Sequence, residues 1–175
     1  MRIGAKYSHL NGFEFLMYHK PDLWREFEDV VASVDAGKCL TKKSKEARKQ
    51  GALLYSPKDM NSQFAREFLK RGWSKRIVAN YLSDDSETVK KLIPLSASEQ
   101  KDYIQNKGQT PIRTTNETDF VKDRVAVEVQ FGKYSFVAHD LFVKHISFFI
   151  ADEIDVGIEV VPMKAMMDQM SSGVP

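Results

Sequence analysis

Hydrophobic spacing divides the chain into two regions. Across 21–34, Leu23, Phe27, Val30, Val31 and Val34 recur at helical spacing, and Pro21 suits a first turn. Ser56 reads as the N-cap of another helix, with Pro57 at N1 and Asp59 at N3. That helix runs through Phe64, Phe68 and Leu69 and stops near Gly72. A shorter element over 89–93 ends before Pro94, and 96–106, with Glu99, Tyr103 and Ile104, predicts a further helix. The part through about residue 95 thus reads as mostly helical.

Further on the period changes to two. Val125, Val127, Val129 and Phe131 point one way, while Arg124, Ala126, Glu128 and Gln130 point the other. A polar turn follows at 132–135. Over 136–152, Leu141, Phe142, His145, Ile146 and Phe149 form a helical stripe. Alternation returns over 154–162, with Ile154, Val156, Ile158 and Val160 on one face. Strand, helix, strand is a right-handed crossover, which makes the two strands parallel. The expected fold is α/β or α+β, a mixed central β-sheet flanked by helices. It forms one domain over 1–175, with 1–95 the helical part and 96–175 the part that carries the sheet.

Composition adds bounds. The 175 residues are 42% hydrophobic and 29% charged, ordinary for a soluble domain with a sizeable core. The single cysteine, Cys39, has no partner for an intrachain disulfide, so a reducing compartment, the cytoplasm, is its natural home. No apolar run approaches the ~20 residues that span a membrane, and the N-terminus lacks a signal-peptide core. With a net charge of only +2, nucleic acid would have to be met by a local patch.

The candidate chemistry lies at 119–130. Asp119 stands just upstream of the strand that carries Glu128, and Gln130 lies beside Glu128 on the same face. Two carboxylates brought together by a strand and its lead-in make a hard-oxygen site suited to Mg²⁺, which can activate water and steady the charge on a phosphodiester. For an isolated Glu-x-Gln the alternative is a solvated strand face.

A lead-in strand with Asp, a strand with Glu-x-Gln, a helix and a further strand resemble the core of the PD-(D/E)xK nucleases. The chain is similar in particular to the BglII/BstYI group of type II restriction endonucleases. The residues that carry this are Thr118-Asp-Phe-Val-Lys-Asp-Arg-Val-Ala-Val-Glu-Val-Gln-Phe-Gly-Lys-Tyr-Ser-Phe-Val-Ala, with weaker likeness at 7–12 and 49–57. In that group glutamine replaces the usual catalytic lysine, as Gln130 would here. The resemblance implies Asp119, Glu128 and Gln130 as catalytic residues. It also implies Mg²⁺ as cofactor and a further stretch of chain beyond Pro175.

In that reading Asp119, Glu128 and the Val129 carbonyl hold the metal. An amide does not titrate, so Gln130 orients the attacking or a metal-bound water rather than acting as a base. The resemblance points to a GATC-based palindrome, 5′-RGATCY-3′ in preference to AGATCT, cut to leave 5′ overhangs. A palindrome calls for a homodimer on double-stranded DNA. Lys133, Tyr134 and Ser135 follow the catalytic strand and are candidate base contacts, as are Ser171 and Ser172 in a short polar loop. Asp123 reads as a salt-bridge partner of Arg124 or as a second ligand. Asn106 is a candidate to lend an amide to the site. His139 and His145 show no zinc spacing. The basic run over 42–49 is a solvated helix face or a phosphate contact. Two other classes stay open: a catalytically silent DNA-binding module, and an interaction protein that uses its helical half as a partner surface.

Overall fold

The computed structural model describes residues 1–44, 50–132 and 134–170. Helices α1 (Gly12–His19) and α2 (Pro21–Ser33) lead through a short 3₁₀ turn into a small hairpin, β1 (Leu40–Lys43) and β2 (Leu53–Tyr55). Helix α3 (Pro57–Lys70) follows, then β3 (Ser74–Leu82), α4 (Ser86–Leu92) and α5 (Ala97–Asn106). The long strand β4 (Ile112–Lys122) turns into β5 (Val125–Val129). A helical segment then runs as α6 (Val137–His139), a π turn (Asp140–Lys144) and α7 (His145–Ile150). Strand β6 (Val156–Val160) and α8 (Lys164–Met167) complete the described chain.

The main sheet has the order β3-β4-β5-β6, antiparallel except for the parallel β5·β6 pair that the crossover predicts. This is the expected mixed sheet flanked by helices. Helix α3 starts where Ser56 Oγ accepts from the Asp59 amide at 3.3 Å. It gives way to Gly72, whose φ of 81° suits a residue without Cβ. Helix α5 opens on a capping box between Ser96 and Glu99.

Three local expectations change. The N-terminal region contributes β3, a nine-residue sheet strand, so the sheet is not confined to 96–175. Its Ser74-Lys-Arg-Ile-Val-Ala-Asn-Tyr-Leu82 shows no clean alternation, because most of the strand is exposed. Lys42 and Lys43 lie on β1 rather than on a helix, while the rest of that basic run, 45–49, lies outside the described residues. Arg124 belongs to the β4–β5 turn and not to the strand.

Both faces of β5 are covered. Val125, Val127 and Val129 join Phe64, Phe68, Trp73 and Phe120 in the large core under α1–α3. Phe68 stacks on Phe120 and meets Trp73 edge-on, with ring centroids 4.6 and 5.2 Å apart. On the other face Ala126 packs with Val78, Phe148 and Ile154 beneath the 137–150 segment. Apart from His145, the predicted stripe faces outward. Phe142 and Phe149 are 64% and 61% exposed, and Leu141 and Ile146 are also exposed, while Asp140, His145 and Phe148 are buried. Two causes act together. The π turn breaks the 3.6-residue phase, and the sheet face below carries Glu128 and Glu159, which call for polar partners.

Candidate active site

The β4–β5 turn sets the site. Asp123 and Arg124 have φ of 44° and 66°, the two positive values of a two-residue type I′ hairpin. The Lys20 ammonium donates to the Asp123 carbonyl, and Arg124 binds Asp152 and Asp155. Asp123 is therefore a turn residue, and the partners of Arg124 are Asp152 and Asp155 instead. The tight turn fixes the pairs Lys122↔Val125, Val121↔Ala126 and Phe120↔Val127. One step further along that register brings Asp119 opposite Glu128.

There the two carboxylates interlock with the opposite strands. Glu128 Oε1 accepts from the Asp119 amide at 3.3 Å, and Asp119 Oδ2 accepts from the Val129 amide at 3.4 Å. Glu128 is 1% exposed. Its Oε1 also accepts from Thr118 Oγ1 at 2.5 Å and lies 2.7 Å from Lys144 Nζ. These donors all converge on Oε1. Asp119 is half-buried and borders a cleft of about 310 Å³ lined also by Asn61, Lys75 and Val129.

Gln130 joins a second chain of contacts. Its Nε2 donates to Asp140 Oδ2 at 2.5 Å, and Asp140 Oδ1 lies 3.1 Å from Lys144 Nζ. This bond uses one of the two Nε2 hydrogens, and the amide's acceptor is Oε1. Beside Glu128 in the parallel register stands Glu159, 3.7 Å from His145 Nε2. The His145 ring fits there because position 157 has no side chain.

Burial pushes the Glu128 carboxyl up to about 7, with the Asp119 charge adding to the rise and the Lys144 and Thr118 hydrogen bonds opposing it. Burial works to lower the Lys144 ammonium, yet the bonds and charges of Glu128 and then Asp140 raise it overall. Burial also raises Glu159. The other cation near the site, Lys75, is exposed and held by Glu117 at 2.5 Å.

Of the residues expected at the site, Asp119, Glu128, Val129 and Gln130 come together. Lys133, Ser171 and Ser172 lie outside the described residues. Ser135 is exposed in a 3₁₀ turn (Tyr134–Phe136), and Tyr134 is partly buried, its hydroxyl 3.4 Å from Met170 Sδ. Asn106 is exposed at the end of α5. His139 is half-exposed and His145 is buried against Glu159.

Thr118, Asp140 and Lys144 were not legible as site residues from strand periodicity. A signal existed for two of them: Asp140 and Lys144, an i, i+4 pair of opposite charge in an otherwise apolar run after the Glu128 strand.

Among the described residues no group of three or more His, Cys, Asp or Glu side chains gathers as a metal cage. The smaller set of Asp119, Glu128 and the Val129 carbonyl is nonetheless oxygen-only. Mg²⁺ is commonly held by one or two carboxylates and completes its shell with water and substrate phosphate. The donor set fits that ion.

A model of the family described as restriction endonuclease BglII/BglIII matches residues 5–175. No curated protein matches the chain. Among the described residues no helix is long and apolar enough to cross a membrane.

Proposed function

This chain belongs to the BglII/BglIII restriction-endonuclease family, a family of nucleases acting on DNA, and we propose that it is a Mg²⁺-dependent type II enzyme of the PD-(D/E)xK kind. Its proposed target is a GATC-based palindrome in double-stranded DNA, 5′-RGATCY-3′ in preference to AGATCT, cut to leave 5′ overhangs. We read 1–175 as one domain, nearer to BstYI than to BglII.

The observation that carries the reading is the interlocked pair Asp119–Glu128, set across a two-residue turn with Gln130 two positions on. Asp119, Glu128 and the Val129 carbonyl are the proposed metal ligands. Mg²⁺ held there supplies a polarised water and offsets charge on the phosphodiester. Gln130, anchored through Nε2 to Asp140, presents Oε1 to accept a hydrogen from the attacking water, which aims the water's lone pair. Thr118 fixes the Glu128 rotamer.

Base reading is assigned to Lys133, Tyr134, Ser135, Ser171 and Ser172. The Tyr134–Met170 contact supports grouping them, since it joins the roots of both segments. Cutting both strands of a palindrome calls for a two-fold homodimer. The outward apolar face of Leu141, Phe142, Ile146 and Phe149, on the segment covering the Glu128 face, suits burial against a second copy.

The test is digestion of a random-sequence duplex library with Mg²⁺ and sequencing of the cut ends. Cleavage at RGATCY that Asp119→Asn and Glu128→Gln both abolish is the expected result. Sequence-specific binding without cleavage would make the protein a silent DNA-binding module instead.

A further inference from the structure

Gln130 leaves the Glu128 strand without an ammonium group, but the site does hold one. Lys144 Nζ stands between two buried carboxylates, 2.7 Å from Glu128 Oε1 and 3.1 Å from Asp140 Oδ1, with its side chain only 15% exposed. Asp140 is 2% exposed, and its other oxygen takes the Gln130 amide. A single ammonium therefore touches the Glu128 carboxylate directly and reaches Gln130 through one intermediate. Lys75 does not compete for this place, because it is 64% exposed and bound to Glu117.

We propose that Lys144 is a positioning residue of the catalytic centre, holding Glu128 by one oxygen and Gln130 by way of Asp140. Three consequences follow from the contacts. By meeting Oε1 together with Thr118 and the Asp119 amide, Lys144 fixes the orientation of the Glu128 carboxylate. By neutralising one side of Asp140, it lets that carboxylate grip the Gln130 amide and hold its orientation. It also balances charge. Its ammonium lies against both the Glu128 and the Asp140 carboxylates and offsets the negative charge they bring to one place. At ammonium–carboxylate contact distance in a water-poor site, that positive charge is felt by a phosphate bound at Glu128 without touching it.

This inference rests on the catalytic reading of Asp119 and Glu128, and the experiment separates the two. Single-turnover cleavage of a cognate duplex is followed over a Mg²⁺ titration for the wild type and for Glu128→Gln, Lys144→Met, Lys144→Arg, Gln130→Ala and Lys144→Met/Gln130→Ala. Thermal unfolding and Ca²⁺-supported DNA binding are measured alongside. Lys144→Met is expected to cut about 100-fold more slowly or worse at saturating Mg²⁺, the scale of losing one preorganised electrostatic partner. Lys144→Arg, which keeps the charge, is expected to recover much of the rate. The double variant is expected to fall short of the product of the single losses, because Lys144 acts partly through Gln130.

Wild-type rates in folded Lys144→Met overturn the proposal, as does a loss that multiplies fully with that of Gln130→Ala. Should Lys144→Met fail to fold, Asp140→Asn carries the test, since it breaks the link to Gln130 at nearly constant shape. A slowed rate supports the proposal, and an unchanged rate overturns it. A cutting wild type with a dead Glu128→Gln leaves the catalytic reading intact whatever Lys144 does. A folded wild type that cuts no duplex overturns both.

Discussion

Glu128→Gln tests the electrostatics of the site without any substrate. In the metal-free protein burial lifts the Glu128 carboxyl from 4.5 to about 7. The folded state therefore holds a proton more tightly than the unfolded chain, and folding stability falls as pH rises between those values. The sign is opposite to that of a salt-bridged surface acid. Below about pH 4.5 the contribution is fully present, and above about 7 it is gone. The interval corresponds to about 3 kcal/mol, and Glu128 is 1% exposed, so solvent screening removes little of it. Glutamine keeps the shape and cannot titrate. Urea unfolding in EDTA at pH 5 and pH 8, for both proteins, isolates the term as a difference of differences. Wild type should lose up to about 3 kcal/mol more than Glu128→Gln between the two pH values. Mg²⁺ should offset that loss in wild type at pH 8 and do so far less in the variant. Parallel pH profiles would refute the claim that Glu128 is a strained, buried acid.

Three further outcomes are expected. Phe68→Ala, which empties a fully buried site between Phe27, Phe64, Trp73 and Phe120, should cost about 3–5 kcal/mol in denaturant unfolding at unchanged slope. Gly157→Ala would put a Cβ 2.2 Å from His145 Nδ1, so the ring and the segment carrying Lys144 must shift. It should cost about 1–3 kcal/mol and slow cleavage by more than that loss of folded protein explains. Phe142→Asp with Phe149→Asp should leave a folded monomer in sedimentation that binds a half-site weakly and no longer cuts both strands together, whereas an unchanged dimer would place the two-fold contact elsewhere.

Much of the frame was legible because it follows from local rules. Pro21, Ser56 and Gly72 mark their helix ends by backbone chemistry that tertiary contacts did not override. The parallel β5·β6 pair followed from strand, helix, strand. What was not legible depended on which face another element covers. Strand β3 hides because most of it is exposed and only Val78 is buried, so its alternation carries little contrast. The 137–150 stripe misled because apolar spacing reveals that a face exists and not where it points. Asp119, Glu128 and Gln130 were visible as a constellation, while Thr118 and Lys144 gain meaning only once the chain brings them to Glu128 Oε1.

The inverted helix and the buried carboxylate have one origin. Strand β5 gives its valines to the large core, so its alternate residues, Ala126 and Glu128, must face the second layer. An acid at 1% exposure is tolerable there only if that layer brings a donor, and the 137–150 segment does so by turning Lys144 inward onto Glu128, with His145 against Glu159. Its apolar residues Leu141, Phe142, Ile146 and Phe149 are then left on the outside. A one-residue change in the β4–β5 turn would exchange the faces, sending Glu128 into the valine core and Val129 under Lys144. The two positive φ values at Asp123 and Arg124, clamped by Lys20, Asp152 and Asp155, hold the register against that slip. Fixing the turn thus fixes three things together: which oxygens meet, which cation meets them, and which apolar surface faces outward.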